Sequence, residues 1–522
     1  MDQIALGVCK NGYSNCLGIY HDTNKHVKNC HPGACQDPLC LLAWIPACAG
    51  MTTSMTKPNN HLFKDITVLI VGLGGYTQGS GVSAAQFFAR NGADVIISDI
   101  KTKTQLRENV KQLKDFKNIT FDLGKKHDIS LVDQADVVFQ NPGVPDLNDV
   151  ITRAFIKEVP VINDWTLFFL HPKANCIAVT GTRGKSTTTS LLHAIVKEKH
   201  TDAKLAGNIG VSPLQFLETY KGELVVAELS SWLLRGLRLV KKSPKLAIVT
   251  NIMNDHQNMY SSMKAYINDK KEIFKYQTNK NTTVLNYDDP KTRAMGKSTK
   301  GKVVWVSLKK IPDGSNGIYV DNGMIVYRDK GKIKKIVREG EYPLFGEHNT
   351  QNIMFATAAA LSINTPLKSI QKVIKKFKGI TYRLEHIRRW KGMDFYNDAT
   401  ATTPDAMIAA ISAFIEKRDV VLIAGGMDKE LDYTKWAKVA AGHTKSIILI
   451  PGSATDKMRK AIKPYGYRPI YAKNLKGAMK CAMSIAQKGD NIVFSPGGAS
   501  FNGFKNEFDR GDQFNKIVLN LR

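Results

Sequence analysis

After residue 48 this chain has almost no cysteine. Six of its eight cysteines, Cys9, Cys16, Cys30, Cys35, Cys40 and Cys48, crowd the first 48 residues, and only Cys176 and Cys481 follow. That excludes a disulfide-stapled body and fits a reduced, cytoplasmic setting. Long apolar runs are also missing: nothing approaches the ~20 residues that a membrane-spanning helix needs, so stable membrane insertion is not expected. Acid is scarce beside base, with 46 Asp+Glu against 74 Lys+Arg and a formal net charge of +28. Such a surplus suits either nucleic acid or sites for polyanionic small molecules. The basic residues are scattered, as in KKSPK and KGKIKK, and no basic segment is interleaved with aromatics. Nucleic acid is therefore not an expected partner.

Residues 1–60 differ in composition from the rest. Their Cys and His suggest a metal site, but Cys30, Cys35 and Cys40 are each separated by four residues and form no C-x2-C knuckle. LCLLAWIPACAGM looks like a signal-peptide core, yet no compact basic segment precedes it. The segment reads as an extension outside any domain, with Met51 or Met55 as the expected start.

Three α/β blocks follow. ITVLIVGLGG, a helical stretch SAAQFFARNG and the strand ADVIISD ending at Asp99 form a βαβ opening with a glycine-rich turn. Alone, this suggests a dinucleotide dehydrogenase, although Gly72, Gly74, Gly75, Gly79 and Gly81 miss the G-x-G-x-x-G spacing. The second block starts at CIAVTGTRGKST, with strands at ELVVAEL, KLAIVTNI, TTVLN and KVVWVSL. IYVDNGMIVY reads as a hairpin turning at Asp321-Asn322-Gly323. The third begins near Tyr382, with strands at DVVLIAGG, SIILI and NIVFSPGG. Thr403 is placed to cap, and Pro404 to open, the helix DAMIAAISAFI.

The second block carries the sharpest chemical signal. In GTRGKST the first glycine, Gly181, stands only four residues before Lys185, a shortened version of the usual phosphate loop. A glycine turn that enters a helix offers main-chain N–H groups and the positive helix end to an anion. Gly181 and Gly184 let the backbone approach, Lys185 supplies a charge for the β/γ-phosphates, and Ser186 suits Mg²⁺. Glu228 and His256 end or follow successive strands of the same block and converge on the same edge.

GTRGKSTTT, GNIG, ELSSWLL, NIMNDHQNMY, NYDD, GEHNTQNIMFATAAA, YRLEHI, YNDATATTPDA and SPGGASFNGFKNEFDRG, in this order across residues 64–522, resemble the Mur ligase family. The resemblance implies three consecutive α/β domains: a Rossmann-like UDP-sugar-binding domain (61–166), a P-loop ATPase central domain (167–380) and a Rossmann-like amino-acid-binding domain (381–522). It implies an ATP-dependent, amide-forming ligase of peptidoglycan precursor synthesis, monomeric, using ATP, two Mg²⁺ ions and UDP-N-acetylmuramoyl-L-alanine. The D-N-P-R of the diaminopimelate- or lysine-adding members and the D-D-Y-x-H-H-P of the alanine-adding one are absent, which implies glutamate as the amino acid.

Roles carried over by resemblance are as follows. Gly181, Thr182, Arg183, Gly184, Lys185, Ser186 and Thr187 hold the ATP phosphates, Asn352 the adenine, and Arg383 with Asp398 the ribose at the entry to the third domain. Ser186 and Glu228 serve one Mg²⁺. His256 and Lys270, the latter as a carbamate, serve a second; the bland alternative makes Lys270 a surface lysine beside Lys271. Asp99, Lys101, Thr102 and Asn141 belong to the UDP site, with Asn208 at the alanyl end. The glycine turn carries about four extra residues compared with the family, and Gly79, Ser80 and Gly81 are the expected phosphate contacts. Lys429, Thr402, Ser500 and Phe501 match the glutamate site, but the family's usual NDSKAT is here NDATAT, with Ala399 for Ser and Thr400 for Lys. Three alternatives stay open: a sister ligase adding L-glutamate or another amino acid, a nucleotide-binding regulator without ligase activity, and a dehydrogenase, which would explain only the first domain.

A chain beginning at Met55 is expected to retain full activity and thermal stability, measured by phosphate release and Tm. A large loss of either would give residues 1–54 a structural role.

Overall fold

The computed structural model describes residues 63–521, apart from 75–77, 146, 210, 254–259, 261, 345, 415–418, 429–430 and 501–502. The amino-terminal extension lies outside the described residues. The chain folds into three consecutive α/β domains, each built on one sheet.

The first sheet comprises β1 (Thr67–Val71), β2 (Asp94–Asp99), β3 (Ile119–Leu123), β4 (Val137–Gln140) and β5 (Val161–Ile162), all parallel in the order β3-β2-β1-β4-β5. VLIV of β1, after the half-buried Thr67, is apolar throughout because helices cover both faces of such a sheet. The strand order reverses between β1 and β4, so a crevice opens beyond their carboxyl ends. There lie the glycine turn, helix α1 (Ser80–Arg90), Asp99 and Asn141. Helix α2 (Asp164–Leu170) then leads to the second domain, its start held by a capping box between Asn163 and Thr166.

The second sheet has nine strands in the order β14-β13-β12-β11-β10-β9-β6-β8-β7. They are β6 (Cys176–Thr180), β7 (Lys204–Gly207), β8 (Val225–Glu228), β9 (Leu246–Val249), β10 (Thr282–Asn286), β11 (Lys302–Ser307), β12 (Gly317–Asp321), β13 (Met324–Asp329) and β14 (Lys332–Arg338). β6 lies between β8 and β9, so the loop entering α3 (Lys185–Lys197), the end of β8 and the turn after β9 meet at one edge. Helices α4 (Ser231–Arg235), α5 (Met263–Lys275) and α6 (Glu347–Ser362) complete the surroundings. The β12–β13 hairpin turns with positive φ at both Asn322 (48°) and Gly323 (72°), as a two-residue type I′ turn requires. The outer strand β14 exposes Lys332, Lys334 and Lys335, charges that discourage edge-to-edge pairing.

In the third sheet, β15 (Glu385–Trp390) is an antiparallel edge on β16 (Met393–Asn397). β17 (Val420–Gly425), β18 (Thr444–Ile450), β19 (Ile470–Tyr471) and β20 (Asn491–Gly497) continue it in the order β15-β16-β20-β17-β18-β19. Thr403 caps helix α7 (Pro404–Ser412), its hydroxyl accepting from Ala406 N, and α8 (Glu507–Leu519) closes the chain.

The cores are unequally divided. One runs through the first two domains, where Trp165, Phe168 and Phe169 of α2 belong to the same cluster as Phe63, Phe88, Leu214, Leu233 and Ile273. The third domain's two clusters, one on each sheet face, are built among the described residues only from Tyr382 onward.

Candidate active site

The loop between β6 and α3 is shaped by glycines with no room for a side chain. Gly181 has φ 145°, and a Cβ on it would lie 1.9 Å from Thr250 Oγ1. Gly184 has φ 78°, and its Cβ would lie 2.3 Å from Asn352 Oδ1. The turn after β9 fixes the loop's main chain. Thr182 N donates to Asn251 O and Arg183 N to Asn251 Oδ1, both at 2.8 Å. Thr250 Oγ1 donates to Arg183 O at 2.6 Å. The first turn of α3 contains no acidic residue, so its main-chain N–H groups present an uncontested positive end. Lys185 Nζ folds back to Thr182 O at 3.0 Å, and Ser186 and Thr187 are buried beside it.

Glu228, at the end of β8, is 1% exposed. Its Oε1 accepts from Asn208 Nδ2 at 3.2 Å, while Oε2 has no hydrogen-bond partner among the described residues. A buried carboxylate oxygen left unsatisfied is costly unless a cation or donor meets it. Among the described residues no group of three or more His, Cys, Asp or Glu could hold a metal. Mg²⁺ is usually held by one or two protein oxygens together with phosphates and water. Ser186 and Glu228 fit such an ion. His256 lies outside the described residues.

Lys270 is 2% exposed, so it is no surface lysine. Its Nζ donates to Gly181 O at 2.8 Å, approaches Thr180 Oγ1 at 3.5 Å and sits 4.6 Å from the centroid of the Tyr266 ring. Its neighbour Asp269 is committed elsewhere, accepting from Arg235 Nε at 2.6 Å, Tyr260 Oη at 2.7 Å and Arg238. A carbamate on Nζ keeps one N–H, so the bond to Gly181 O is compatible with that modification.

A cleft of about 370 Å³ opens where the second and third domains meet, lined by Thr187, Leu344, Asn349, Lys378, Arg383 and His386 among others. Asn352 lies one turn along α6 from Asn349 but faces the phosphate loop. Its Oδ1 accepts from Thr188 Oγ1 at 3.2 Å and its Nδ2 donates to Asn349 Oδ1 at 3.1 Å. Tyr382 and Leu384, either side of Arg383, both have positive φ (64° and 48°), an uncommon conformation stored where the chain passes between domains. Behind Arg383, Asp398 accepts from Leu384 N at 3.1 Å and Ser495 Oγ at 2.7 Å. Burial pushes its carboxyl up to about 7, against the pull of those hydrogen bonds and of Arg383 and Arg510.

The UDP-site candidates form a separate cluster in the first domain. Asp99 accepts from Leu73 N (2.8 Å) and Lys101 N (2.9 Å), bracing the glycine turn. Lys101 and Thr102 are exposed beside it. Asn141 accepts from Gly143 N at 3.0 Å and lines a second cleft, about 230 Å³, together with Trp232 and Arg235 of the central domain. Ser80 Oγ donates a hydrogen bond to the buried Asp164 at 2.7 Å, so an anion at this helix start would meet main-chain N–H groups. Gly81 is needed for packing, because its Cβ would lie 2.5 Å from Leu73 O; Gly79 is the residue before the helix.

Of the amino-acid candidates, Thr402 is half-buried and Ser500 buried; Lys429 and Phe501 lie outside the described residues. Thr400 donates its hydroxyl to Tyr382 O at 2.8 Å. The sequence reading did not single out Arg510, which is wholly buried on α8. It donates to Gly498 O (3.1 Å) and Ala399 O (2.7 Å), tying together the loops after β20 and β16. No local spacing marks it. Asn251 was also missed, although the polar pair Thr250-Asn251 directly after the apolar run LAIV was a usable signal.

A phosphate loop on a central sheet, flanked by a nucleotide-type crevice and a third α/β domain, defines an enzyme that spends a nucleoside triphosphate on a substrate held between domains. Comparison with known proteins narrows this. Family models match residues 66–163 (Mur ligase MurD-like, N-terminal domain), 179–360 (Mur ligase middle domain) and 382–498 (Mur ligase, glutamate ligase domain). The UDP-N-acetylmuramoylalanine–D-glutamate ligase of Borreliella burgdorferi is 34% identical over 467 residues, covering 88% of this chain and 98% of that one. Its namesake from Roseiflexus sp. is 35% identical, covering 86% and 97%. Among solved structures, the UDP-N-acetylmuramate–alanine ligase of Thermotoga maritima shares the fold with a TM-score of 0.55 at 19% identity, covering 87% of this chain and 99% of its own. The chain belongs to the Mur ligase family.

Ionised, Asp398 would be a stronger hydrogen-bond acceptor for a nucleotide hydroxyl than it is as the neutral acid. With its carboxyl titrating near 7, the apparent KM for ATP should fall as pH rises from 6 to 8, and Asp398→Asn should flatten that dependence. The sign for stability is opposite. The folded state holds a proton that the unfolded chain releases near 3.8, so this group's contribution is fully present below that value and is lost as pH rises towards 7. Steady-state kinetics and Tm across the same buffers check both.

Proposed function

We propose that this ATP-dependent ligase joins D-glutamate to the alanyl carboxylate of UDP-N-acetylmuramoyl-L-alanine in peptidoglycan precursor synthesis. The observation that carries the reading is the match to D-glutamate ligases along 97–98% of their length. A monomer acting in the cytoplasm fits the reduced-thiol composition; no helix of the described residues is long and apolar enough to cross a membrane.

The chemical difficulty is that a carboxylate is a poor acyl donor. Its oxygen attacks the γ-phosphorus of ATP, the bond to ADP breaks, and an acyl phosphate forms. The glutamate amine then attacks the acyl carbon and gives up a proton, and phosphate leaves from the tetrahedral intermediate. The chain supplies position and charge. The N–H groups at the start of α3 and the Lys185 ammonium bind the phosphates and hold the transferring group in line. Arg383 and Asp398 bind the nucleoside at the inter-domain cleft. Asp99, Asn141 and the N–H groups at the start of α1 take the UDP end, and Asn208 the alanyl end. Lys429, Thr402, Ser500 and Phe501 take the incoming glutamate. Mg²⁺ at Ser186 and Glu228, with a second ion at His256 and carbamylated Lys270, neutralises phosphate charge when bound.

Three experiments test this, on the amino acid, on Lys270 and on Lys429. Phosphate release with UDP-N-acetylmuramoyl-L-alanine, ATP and a panel of amino acids in both chiralities should be strongest with D-glutamate. Another amino acid in first place would point instead to a sister ligase, with Thr400, whose hydroxyl is bound to Tyr382 O, as the altered determinant. Lys270→Ala should nearly abolish phosphate release while ATP still binds through Lys185. Wild-type enzyme stripped of CO₂ should lose rate and regain it with bicarbonate. In the third domain, loss of one charged partner of a buried ligand pair costs roughly 2–5 kcal/mol. Lys429→Ala is therefore expected to raise the apparent KM for glutamate at least ~30-fold and to leave that for ATP nearly unchanged. The opposite pattern would displace the amino-acid site.

A further inference from the structure

The side chain of Arg183, in the phosphate loop, leaves its own domain. Its Nη2 donates to Thr403 Oγ1 at 2.7 Å, across 220 residues of sequence. At the near end, the residue is immobilised by the turn after β9. Its N donates to Asn251 Oδ1, and its O accepts from Thr250 Oγ1 and, at 3.2 Å, from Asn251 Nδ2. That turn is braced in its own right by Asn286 Nδ2, which donates to Thr250 O at 2.8 Å. At the far end, Thr403 also accepts from Ala406 N as the cap of α7. A hydroxyl has two acceptor positions and one proton, so it can take both donors and still offer its own proton. The third domain buries its cores by itself, and the chain enters it through left-handed residues at 382 and 384. Among the described residues no buried apolar cluster is shared with the central domain, and a directional polar contact can help set the third domain's position.

We propose that Arg183 is a positioning residue, which holds Thr403, and with it the adjacent Thr402 and the amino-acid loop, over the bound phosphates. The same loop that binds ATP through its main chain thus reaches out through one side chain to place the nucleophile's domain. A guanidinium is suited to this, being charged at all working pH values and long enough to span the gap with a fixed fork of donors. This rests on the ligase reading above.

The test is a double-mutant cycle on phosphate release, with ATP affinity measured separately by calorimetry. Arg183→Ala and Thr403→Ala should each raise the apparent KM for D-glutamate about tenfold or more, the scale of a lost charge-assisted hydrogen bond. The double variant should lie within about threefold of the worse single one. The Kd for ATP should move by less than about threefold, and Thr403→Ser, which keeps the hydroxyl, should behave as wild type. Effects that multiply in the double variant would overturn the coupling. A weakened ATP Kd with an unchanged amino-acid KM would make Arg183 a phosphate ligand instead. If wild type accepts another amino acid and not D-glutamate, the substrate reading fails by itself, and the same cycle run with that amino acid still decides the role of Arg183.

Discussion

The arrangement depends on a steric constraint: the phosphate loop is pressed against the turn after β9 so closely that Gly181 cannot carry a Cβ. Thr250 occupies the space, then uses the same hydroxyl to fix Arg183 O. Main-chain bonds from the loop to Asn251 hold the shortened loop in place. Lys270 comes to the same point from α5 and contacts Gly181 O. Strand order makes these contacts possible, since β6 is flanked by β8 and β9 and all three end at one edge.

The acids around the site are mostly spoken for. Asp99 braces a glycine turn, Asp269 is shared among two arginines and a tyrosine, and Asp398 takes a main-chain and a serine donor. Glu228 keeps one buried oxygen without a hydrogen-bond partner, as do Asp164 at the start of α2 and Glu272 on α5. At the end of β8, Glu228 puts negative charge where a divalent cation can compensate it. Elsewhere the edge is left positive for phosphates and carboxylates.

The sequence made local features legible. Asn322-Gly323 demands a tight hairpin, the run CIAVT followed by two glycines demands a strand, turn and helix, and Thr403-Pro404 marks a helix start; the structure has all three. Short strands escaped, such as the two-residue β5 and β19, because two residues carry no periodicity. The edge strand β15, EHIRRW, also escaped because its polar residues mask the alternation. Long-range partners were unreadable in principle. Nothing near Ser80 announces Asp164, nothing near Arg510 announces Ala399 and Gly498, and Lys270 beside Lys271 looks like solvent-facing charge. Only the packing of α5 on β6 and β9 shows which of the two lysines is inside.

The core that runs through α2 has a consequence for how the molecule comes apart. Trp165, Phe168 and Phe169 are counted in the interior of both flanking sheets, so neither of the first two domains can lose its structure without exposing the other's apolar surface. Among the described residues the third domain shares no such interior. Three sheets therefore amount to two cooperative units: a fused amino-terminal pair that melts as one, and a carboxyl-terminal unit that can open on its own at lower cost.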